Sequence, residues 1–528
     1  MKIGLIAMSG VRAWSDEVNN AGLSMPGVLE RGAVIASLPS LSLLTLAGMT
    51  DARHEVSYHE IRDLRAEWAE AAGGAPVGGG GADPLLRLAP ARGGSSLCSS
   101  QPDGRHPHPP AQSGGNMEGD YLTSGSRALR SRPHGLPPSR EKGGFDLVAI
   151  SSMTAQVKDA YAVADWYRAR GVMVVMGGLH VTALPEEALL HCDAVVVGEA
   201  EQVWAKVLAD AERGELERIY KRLPGEVEFD FVQSPMPRFE LLEIAKYNRL
   251  TVQTTRGCPH ACDFCASSIL LTKGYKVKPV ERVMAELERI RQVWSSQEDG
   301  GRPFIEFADD NSFASRGAAK KLLAAMAAER EGGRGVSWFT EVDLSIAWEP
   351  ELLDLMRISG CRQVLIGLES PVEDGLNGLE TRRNWKLRQY SKYEEAVRLI
   401  QSRGITVNGC FILGLDGHTP AVFDRVAEFA ERTSLFDVQV TVQTPFPGTP
   451  LYSRLEREGR LLAPGAWERC TLFDVNYEPR GMAVRELEVG FLQLVGRLYH
   501  PDAVRARREG YFKGVAADAK RGSAARAV

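Results

Sequence analysis

From residue 145 to residue 442, short apolar runs and amphipathic helical stretches take turns, a rhythm that admits little besides parallel sheets flanked by helices. The same rhythm starts earlier, with an apolar run at 3–8, a helix with leucines at helical spacing at 39–49 and a second strand at 54–61. It resumes with strands at 145–152, 172–176 and 194–197, helices at 160–170 and near Pro185, and glycines (Gly177, Gly178, Gly198) at the strand ends. This predicts an α/β, doubly wound, Rossmann-like domain, whose ligands lie at the carboxyl edge of the sheet. Taken alone, Gly177-Gly178 reads equally well as a tight turn. A strand at 250–254 opens a second series, with further strands at 303–307, 336–342, 363–368, 406–414 and 436–442. Helices at 279–294, 318–331, 350–358, 393–403 and 421–433 alternate with them. About six β/α units predict a partial (β/α)6 version of the TIM barrel, with its site at the C-terminal ends of the strands.

The first domain is interrupted by a change of composition. From Gly73 to Gly144 the chain is mainly glycine, proline and serine with scattered arginine, including Gly78-Gly79-Gly80-Gly81. So little apolar surface cannot offset the entropy of ordering, so 73–144 is expected to be a disordered insertion in one domain rather than a boundary between two. His106, His108 and His134 within it read as incidental polarity. The expected organisation is a Rossmann-like domain at 1–215, a proline-containing linker at 216–245, the barrel at 246–453 and a mostly helical C-terminal segment at 454–528, frayed from Gly522 to Val528. At 528 residues and 44% hydrophobic content the chain has material for two or three cores. A formal net charge of −5 and the lack of any lysine or arginine block argue against a nucleic-acid partner. The opening apolar run breaks at Ser9-Gly10 and no later run reaches the length of a membrane span, so a cytoplasmic protein without a transmembrane segment is expected.

Three of the eight cysteines crowd into one loop, Thr255-Arg256-Gly257-Cys258-Pro259-His260-Ala261-Cys262-Asp263-Phe264-Cys265. Thiolates are soft ligands, and the spacing C-x3-C-x2-C lets one loop wrap a metal centre from three sides. Spacing alone leaves two readings open. One is an iron–sulfur cluster with one iron left free; the other is a structural zinc knuckle, for which His260, inside the same loop, is badly placed to serve as fourth ligand. A reducing compartment favours either over disulfides. Cys98, Cys192, Cys361, Cys410 and Cys470 are scattered and read as packing or chance residues.

With an aromatic residue directly before the third cysteine, Cys258, Cys262 and Cys265 resemble the signature loop of the radical S-adenosylmethionine (radical SAM) enzymes. The resemblance implies a four-iron (4Fe-4S) cluster on those three thiolates, S-adenosylmethionine chelating the free iron, and reductive cleavage of the sulfonium to a 5′-deoxyadenosyl radical. It places Phe264 near the adenine. Upstream, the succession Ser151-Ser152-Met153-Thr154, Gly177-Gly178-Leu179-His180 and Gly198-Glu199-Ala200-Glu201 is similar to the cobalamin-binding domain that precedes the radical domain in a large group of these enzymes. The Asp-x-His-x-x-Gly loop that supplies cobalt with a histidine in other cobalamin proteins is missing. The resemblance therefore implies a corrinoid cradled by Ser151, Ser152, Thr154, Gly177, Gly178, His180, Gly198 and Glu199, with His180 as pocket lining only.

Polar residues also sit where the expected barrel strands end. By the resemblance, Asp309 and Asp310 bind the methionine amino group of S-adenosylmethionine, Glu341 its ribose hydroxyls, Glu369 its adenine and ribose, and Gly414 its adenine through the backbone. Read without it, Asp309 and Asp310 suit a helix N-cap and Glu369 the cap of the next helix. Pro445 to Tyr452, followed by Glu458-Gly459-Arg460-Leu461, also recurs in the group and is expected to close the barrel. The function expected is that of a radical SAM enzyme, foremost a cobalamin-dependent C-methyltransferase acting on an unactivated carbon of a small molecule or lipid, served by an electron donor such as ferredoxin or flavodoxin. Ring closure, rearrangement or oxidation without methyl transfer competes with it, as does a non-catalytic corrinoid or metal sensor. Methylthio transfer is disfavoured because only Cys98 and Cys192 precede residue 250, too few for a second triplet. No residue is singled out as a catalytic acid or base.

Overall fold

The alternation along the chain becomes two separate parallel sheets in the computed structural model, which describes residues 1–10, 13, 38–61, 64, 144–223, 225–271, 274–295 and 302–526. The elements below belong to one unit, 1–62 with 137–528; a second unit, 63–136, contains only Leu64 among the described residues. The first sheet comprises β1 (Lys2–Met8), β2 (Glu55–Ile61), β3 (Leu147–Ser151), β4 (Met173–Gly177), β5 (Ala194–Val197) and β6 (Ile219–Lys221). They lie in the order 2-1-3-4-5-6 with every pairing parallel. Ile3, Leu5, Leu147, Ala149 and Val175 share one face and pack against Leu43 and Ala47 of the helix Leu41–Met49 and Val207 of the helix Trp204–Arg213. The order reverses between β1 and β3, and such a switch opens a crevice at the carboxyl ends of the strands.

After β7 (Leu250–Val252) the chain forms a two-stranded antiparallel ribbon, β8 (Thr255–Arg256) with β9 (Lys276–Val277). It then continues through β10 (Phe304–Phe307), β11 (Ser337–Val342), β12 (Cys361–Glu369), β13 (Thr406–Leu413) and β14 (Asp437–Val442). The second sheet runs β7-β10-β11-β12-β13-β14, all parallel, with β7 and β14 as its edges, so it is an open half barrel. Its two faces follow from the period of two. On β11, Trp338, Thr340 and Val342 are buried beneath the helices, whereas Ser337, Phe339 and Glu341 lie on the other, hollow side. The covering helices answer with a 3.6-residue stripe: Val422–Arg432 buries Val422, Val426, Ala427, Phe429 and Ala430. Each large side chain so buried stabilises the fold by roughly 1.5–3 kcal/mol.

Several expectations need correction. The stretch expected as linker contributes a strand, since β6 pairs with β5 at Ile219–Lys221; three residues are too few to show a period but enough to extend an existing sheet. The expected strand 250–254 is broken, since the Thr254 amide turns to the Asp309 side chain instead of a ladder partner. The helix Pro501–Arg526 runs through most of the stretch expected to fray, because in an alanine-rich end each further residue adds a hydrogen bond at little entropic cost. Apart from Gly144, the segment 73–144 with Cys98, His106, His108 and His134 lies outside the described residues. Among the described residues no helix is long and apolar enough to cross a membrane.

Candidate active site

The cysteine loop emerges at the C-terminal end of β7, at the mouth of the half barrel, and is braced from three directions. Asp309, buried just after β10, accepts the amides of Thr254 at 2.7 Å and Thr255 at 3.0 Å and the hydroxyls of Thr254 and Ser312. Asp310 accepts the Gly257 amide at 2.9 Å and the Ser267 hydroxyl. Neither caps a helix, which corrects that reading: the next helix begins at Arg316 behind Ser315, and the two carboxylates instead satisfy loop amides that lack a ladder partner. From a second side Glu380, 2% exposed, accepts the amides of Ala261, Arg382, Arg383 and Trp385 at 3.3, 3.1, 2.8 and 3.1 Å. From the third, Arg454 donates to the Asp263 carboxylate at 2.9 Å and the Leu451 amide to its carbonyl at 3.0 Å.

Within these braces Cys262 is buried and Cys258 and Cys265 are half-buried. Burial pushes the Cys258 thiol up to about 11 and Cys262 well above the usual thiol range, and the neighbouring thiols add to both shifts. Asn311 Nδ2 lies 4.0 Å from Cys258 Sγ and donates to Asp343 at 2.9 Å. Asp343 also pairs with His260 at 3.2 Å. Burial alone would raise the Asp343 carboxyl, but His260, Ser345 and Asn311 hold it well below the ordinary range. With one nitrogen on Asp343 and its ring 4.2 Å from that of Trp385, His260 is engaged elsewhere, which weakens the zinc reading further.

Glu341 opens into the hollow. The surrounding walls, together with the carboxylates of Glu306, Asp310, Asp309 and Glu369, push it up to about 8. Glu369, at φ +64°, pairs with Lys386 at 2.8 Å, and Lys386 also donates to the Gly367 carbonyl at 2.6 Å. Glu369 is therefore no helix cap; the following 3-10 turn Glu373–Leu376 starts behind Val372. Phe264 is half-buried and packs against the barrel core. Gly414 ends β13 at φ +83°, and its carbonyl accepts the Tyr477 hydroxyl at 2.7 Å, where any Cβ would approach that oxygen to 2.1 Å.

Four residues on, His418 is 1% exposed, bonds Ser370 Oγ at 2.9 Å, and is pushed down to about 4 by burial. Because the folded value lies below the unfolded one near 6.5, the unfolded chain binds the extra proton first, and stability falls as pH drops from 6.5 through about 4. Urea unfolding of the cofactor-free protein is expected to lose about 2 kcal/mol more between pH 7.5 and 5 than that of His418→Gln. Equal losses would contradict the buried neutral imidazole.

On the first sheet, the ends of β3, β4 and β5 bring Ser151, Ser152, Gly177, Gly178 and Gly198 to one edge. A Cβ at Gly178 (φ +109°) would meet the Ser152 carbonyl at 3.4 Å and Ser151 Oγ at 3.6 Å, whereas one at Gly198 (φ +83°) would meet nothing within 4 Å. Ser152 Oγ and His180 Nδ1 are buried without a hydrogen-bond partner. His180 Nε2 lies 3.2 Å from Glu187, which also accepts the Tyr161 hydroxyl at 2.9 Å and the Trp467 indole at 3.0 Å. Thr154 begins a 3-10 turn that packs against the turn Trp467–Arg469, and Lys158 pairs with Glu468 at 2.6 Å, so the C-terminal segment folds back onto this edge. The Glu199 carboxylate, in the turn after β5, is held by Arg256 at 2.9 Å and Lys276 at 3.1 Å.

Sequence reasoning missed Asn311, Asp343, Glu380, Lys386, Arg454 and the partners of Arg256. Asp343 carried a usable signal, since it follows directly on β11, and Asn311 a weaker one, four residues past the end of β10. The others sit in loops or on helices, where no period marks them.

The Radical SAM superfamily profile matches residues 252–430, the B12 binding domain 139–208, and a domain of unknown function (DUF4070) 449–527. The chain is 28% identical over 379 residues to bacteriochlorophyllide d C-12(1)-methyltransferase of Chlorobaculum tepidum, which spans 70% of this chain and 77% of that one. It is 30% identical over 322 residues to the hopanoid C-2 methylase of Rhodopseudomonas palustris, spanning 60% and 58%. In fold it is similar to the radical S-adenosylmethionine methyltransferase TsrM from Kitasatospora setae, solved with cobalamin and a 4Fe-4S cluster bound. That superposition has a TM-score of 0.60 at 14% identity and covers 95% of this chain and 89% of the other. The cofactors of this pair of domains are a 4Fe-4S cluster, S-adenosylmethionine and cobalamin. The residues present fit them: a braced loop of three thiols at a barrel mouth, and a glycine-edged shelf with an unpartnered serine hydroxyl. The chain thus carries a B12-binding domain at 139–208 followed by a radical SAM domain at 252–430, with relatives named as methyltransferases.

Proposed function

We propose that this protein is a cobalamin-dependent C-methyltransferase that replaces a hydrogen by a methyl group at an unactivated carbon of a small-molecule or lipid substrate. The observation that carries the proposal is that the shelf of the first sheet and the cysteine loop of the second are joined directly, Glu199 and Glu201 to Arg256, so both cofactor faces serve one mouth. When bound, the cluster, S-adenosylmethionine and cobalamin supply the hydrogen-abstracting radical and the methyl group.

The chain's own residues bind and orient. Cys258, Cys262 and Cys265 hold the cluster, in a loop kept in shape by Asp309, Asp310 and Glu380. Phe264 and the end of β13 at Gly414 border the nucleoside, and Glu341 and the Glu369–Lys386 pair present polar groups to it from the hollow. Ser151, Ser152, Thr154, Gly177, Gly178, His180 and Gly198 line the corrinoid shelf. A protonated Glu341 avoids a further negative charge in an already acidic hollow until a cationic group arrives. Electrons come from a small donor protein of the ferredoxin or flavodoxin kind.

Anaerobic reconstitution with iron, sulfide and cobalamin tests the reading. With trideuteromethyl S-adenosylmethionine and a panel of tetrapyrroles and hopanoids, the classes named for the relatives, a product gaining one labelled methyl group is expected. A product of changed mass without the label would favour ring closure or oxidation instead, and failure to cleave S-adenosylmethionine at all would remove both.

A further inference from the structure

The ribbon β8–β9 carries two cations side by side, Arg256 opposite Lys276, and both reach across to the turn that follows β5. Arg256 forks: Nη1 donates to Glu199 at 2.9 Å and Nη2 to Glu201 at 2.7 Å. Lys276 meets Glu199 at 3.1 Å, Glu228 at 3.6 Å and the Phe229 carbonyl at 3.2 Å. The Phe231 ring lies beneath Arg256 at 4.8 Å and Lys278 at 5.3 Å, so the connecting chain is caught in the same knot. The side chains of Arg256, Lys276, Glu199 and Glu201 are only 16, 16, 13 and 8% exposed.

We propose that this knot is a positioning clasp: Arg256 and Lys276 set the spacing and orientation of the Gly198–Glu201 edge relative to the three cysteines, the first of which lies two residues after Arg256. The inference rests on the methyltransferase reading for its consequence, though not for its geometry. Largely buried ion pairs seldom add net stability over an apolar contact, because desolvation offsets their attraction. A forked guanidinium on two carboxylates does fix distance and angle, which an apolar contact, free to slide, does not. The ribbon has two residues in each strand and pairs with neither sheet: Asp309 and Asp310 tie Thr255 and Gly257 to the barrel, and Arg256 and Lys276 tie it to the edge of the first sheet. Spacing matters here because a displacement of about 1 Å between reacting groups costs on the order of 10²-fold in rate.

The clasp separates two reactions of S-adenosylmethionine. Reductive cleavage takes one electron through the cluster and gives methionine and a 5′-deoxyadenosyl radical, which becomes 5′-deoxyadenosine by taking a hydrogen atom from substrate or buffer; it would need the cysteine loop and the barrel mouth but not the first sheet. Transfer of the sulfonium methyl group, as a methyl cation, to a reduced cobalamin would leave its bonding pair on sulfur as S-adenosylhomocysteine, and it would need both the Gly198–Glu201 edge and the cysteine loop in register. The experiment compares Glu201→Gln, Lys276→Gln, their combination, and Arg256→Lys, which keeps the charge but loses the fork. Reconstituted enzyme with hydroxocobalamin reduced by titanium(III) citrate is assayed for both products, and cofactor-free protein for amide hydrogen exchange.

In the combined variant S-adenosylhomocysteine is expected to fall about tenfold or more, while 5′-deoxyadenosine and iron content stay within about twofold. Arg256→Lys should show the same split, smaller. Without cofactors, exchange at 198–202 and 255–258 should quicken together by about tenfold. Equal falls in both products, or unchanged exchange at either segment, would overturn the clasp. If the wild-type enzyme forms 5′-deoxyadenosine but no S-adenosylhomocysteine, the methyltransferase reading fails, and the exchange result alone decides for or against the clasp.

Discussion

Cys262→Ala is expected to abolish S-adenosylmethionine cleavage, lowering 5′-deoxyadenosine formation by at least about 10³-fold and leaving little chelatable iron after reconstitution. Three thiolates are the fewest that can hold a four-iron cluster at three corners, and the braced loop offers no substitute: His260 is tied to Asp343 and Asp263 to Arg454. Cys262 is the informative position because it is the buried one of the three. Removing its sulfur should cost the cofactor-free fold only about 1 kcal/mol, since a small buried side chain leaves a small cavity. Unfolding curves that nearly superpose beside an absent iron–sulfur absorption band would separate loss of ligation from loss of fold. A variant that still cleaves S-adenosylmethionine would remove the basis for assigning the triplet to the cluster.

Asp309→Ala should be the most damaging change outside the cysteines, destabilising the cofactor-free protein by about 3–5 kcal/mol. The carboxylate is 4% exposed and is held by four donors, the Thr254 and Thr255 amides and the Thr254 and Ser312 hydroxyls. Burial pushes its pKa up and those donors act against the rise. Without it, two buried amides where the chain leaves β7 lose their partners, and the loop should lose its shape before the barrel does. Asp310→Asn serves as the comparison: Asp310 accepts one amide and one hydroxyl and is less buried, so about 1 kcal/mol is expected. Urea midpoints and iron per chain measure both effects, and an Asp309→Ala protein with normal stability and iron content would restore the expectation that this residue serves S-adenosylmethionine instead.

Strands, helices and their order were legible before any coordinates because they rest on local periods. Ala194–Val197 falls where it was expected, and β10 to β14 within about two residues of their predicted limits, since a buried parallel strand between amphipathic helices must be apolar along its length. The cysteine loop was legible for a similar reason: all three thiols lie within eight residues, so no folding is needed to bring them near one another. Ile219–Lys221 escaped because three residues show no period, and the continuation of Pro501–Arg526 because charges and glycines masked its alanines.

Sequence alone thus determined the two layers of parallel strands, the edge at which each presents its ligands, and the thiols available to a metal cluster. Tertiary structure alone decided what each charged residue does there. Arg256 meets Glu199 across 57 positions, Glu380 reaches the Ala261 amide across 119, and Arg454 reaches Asp263 across 191. Such pairings depend on how the sheets and loops come together in space, and separation along the chain carries no record of them. That is why the side chains of Glu199 and Asp309, which the resemblance assigns to cofactors, also have partners within the protein that no sequence pattern announces: a carboxylate shielded from water goes to the donors that folding brings to it.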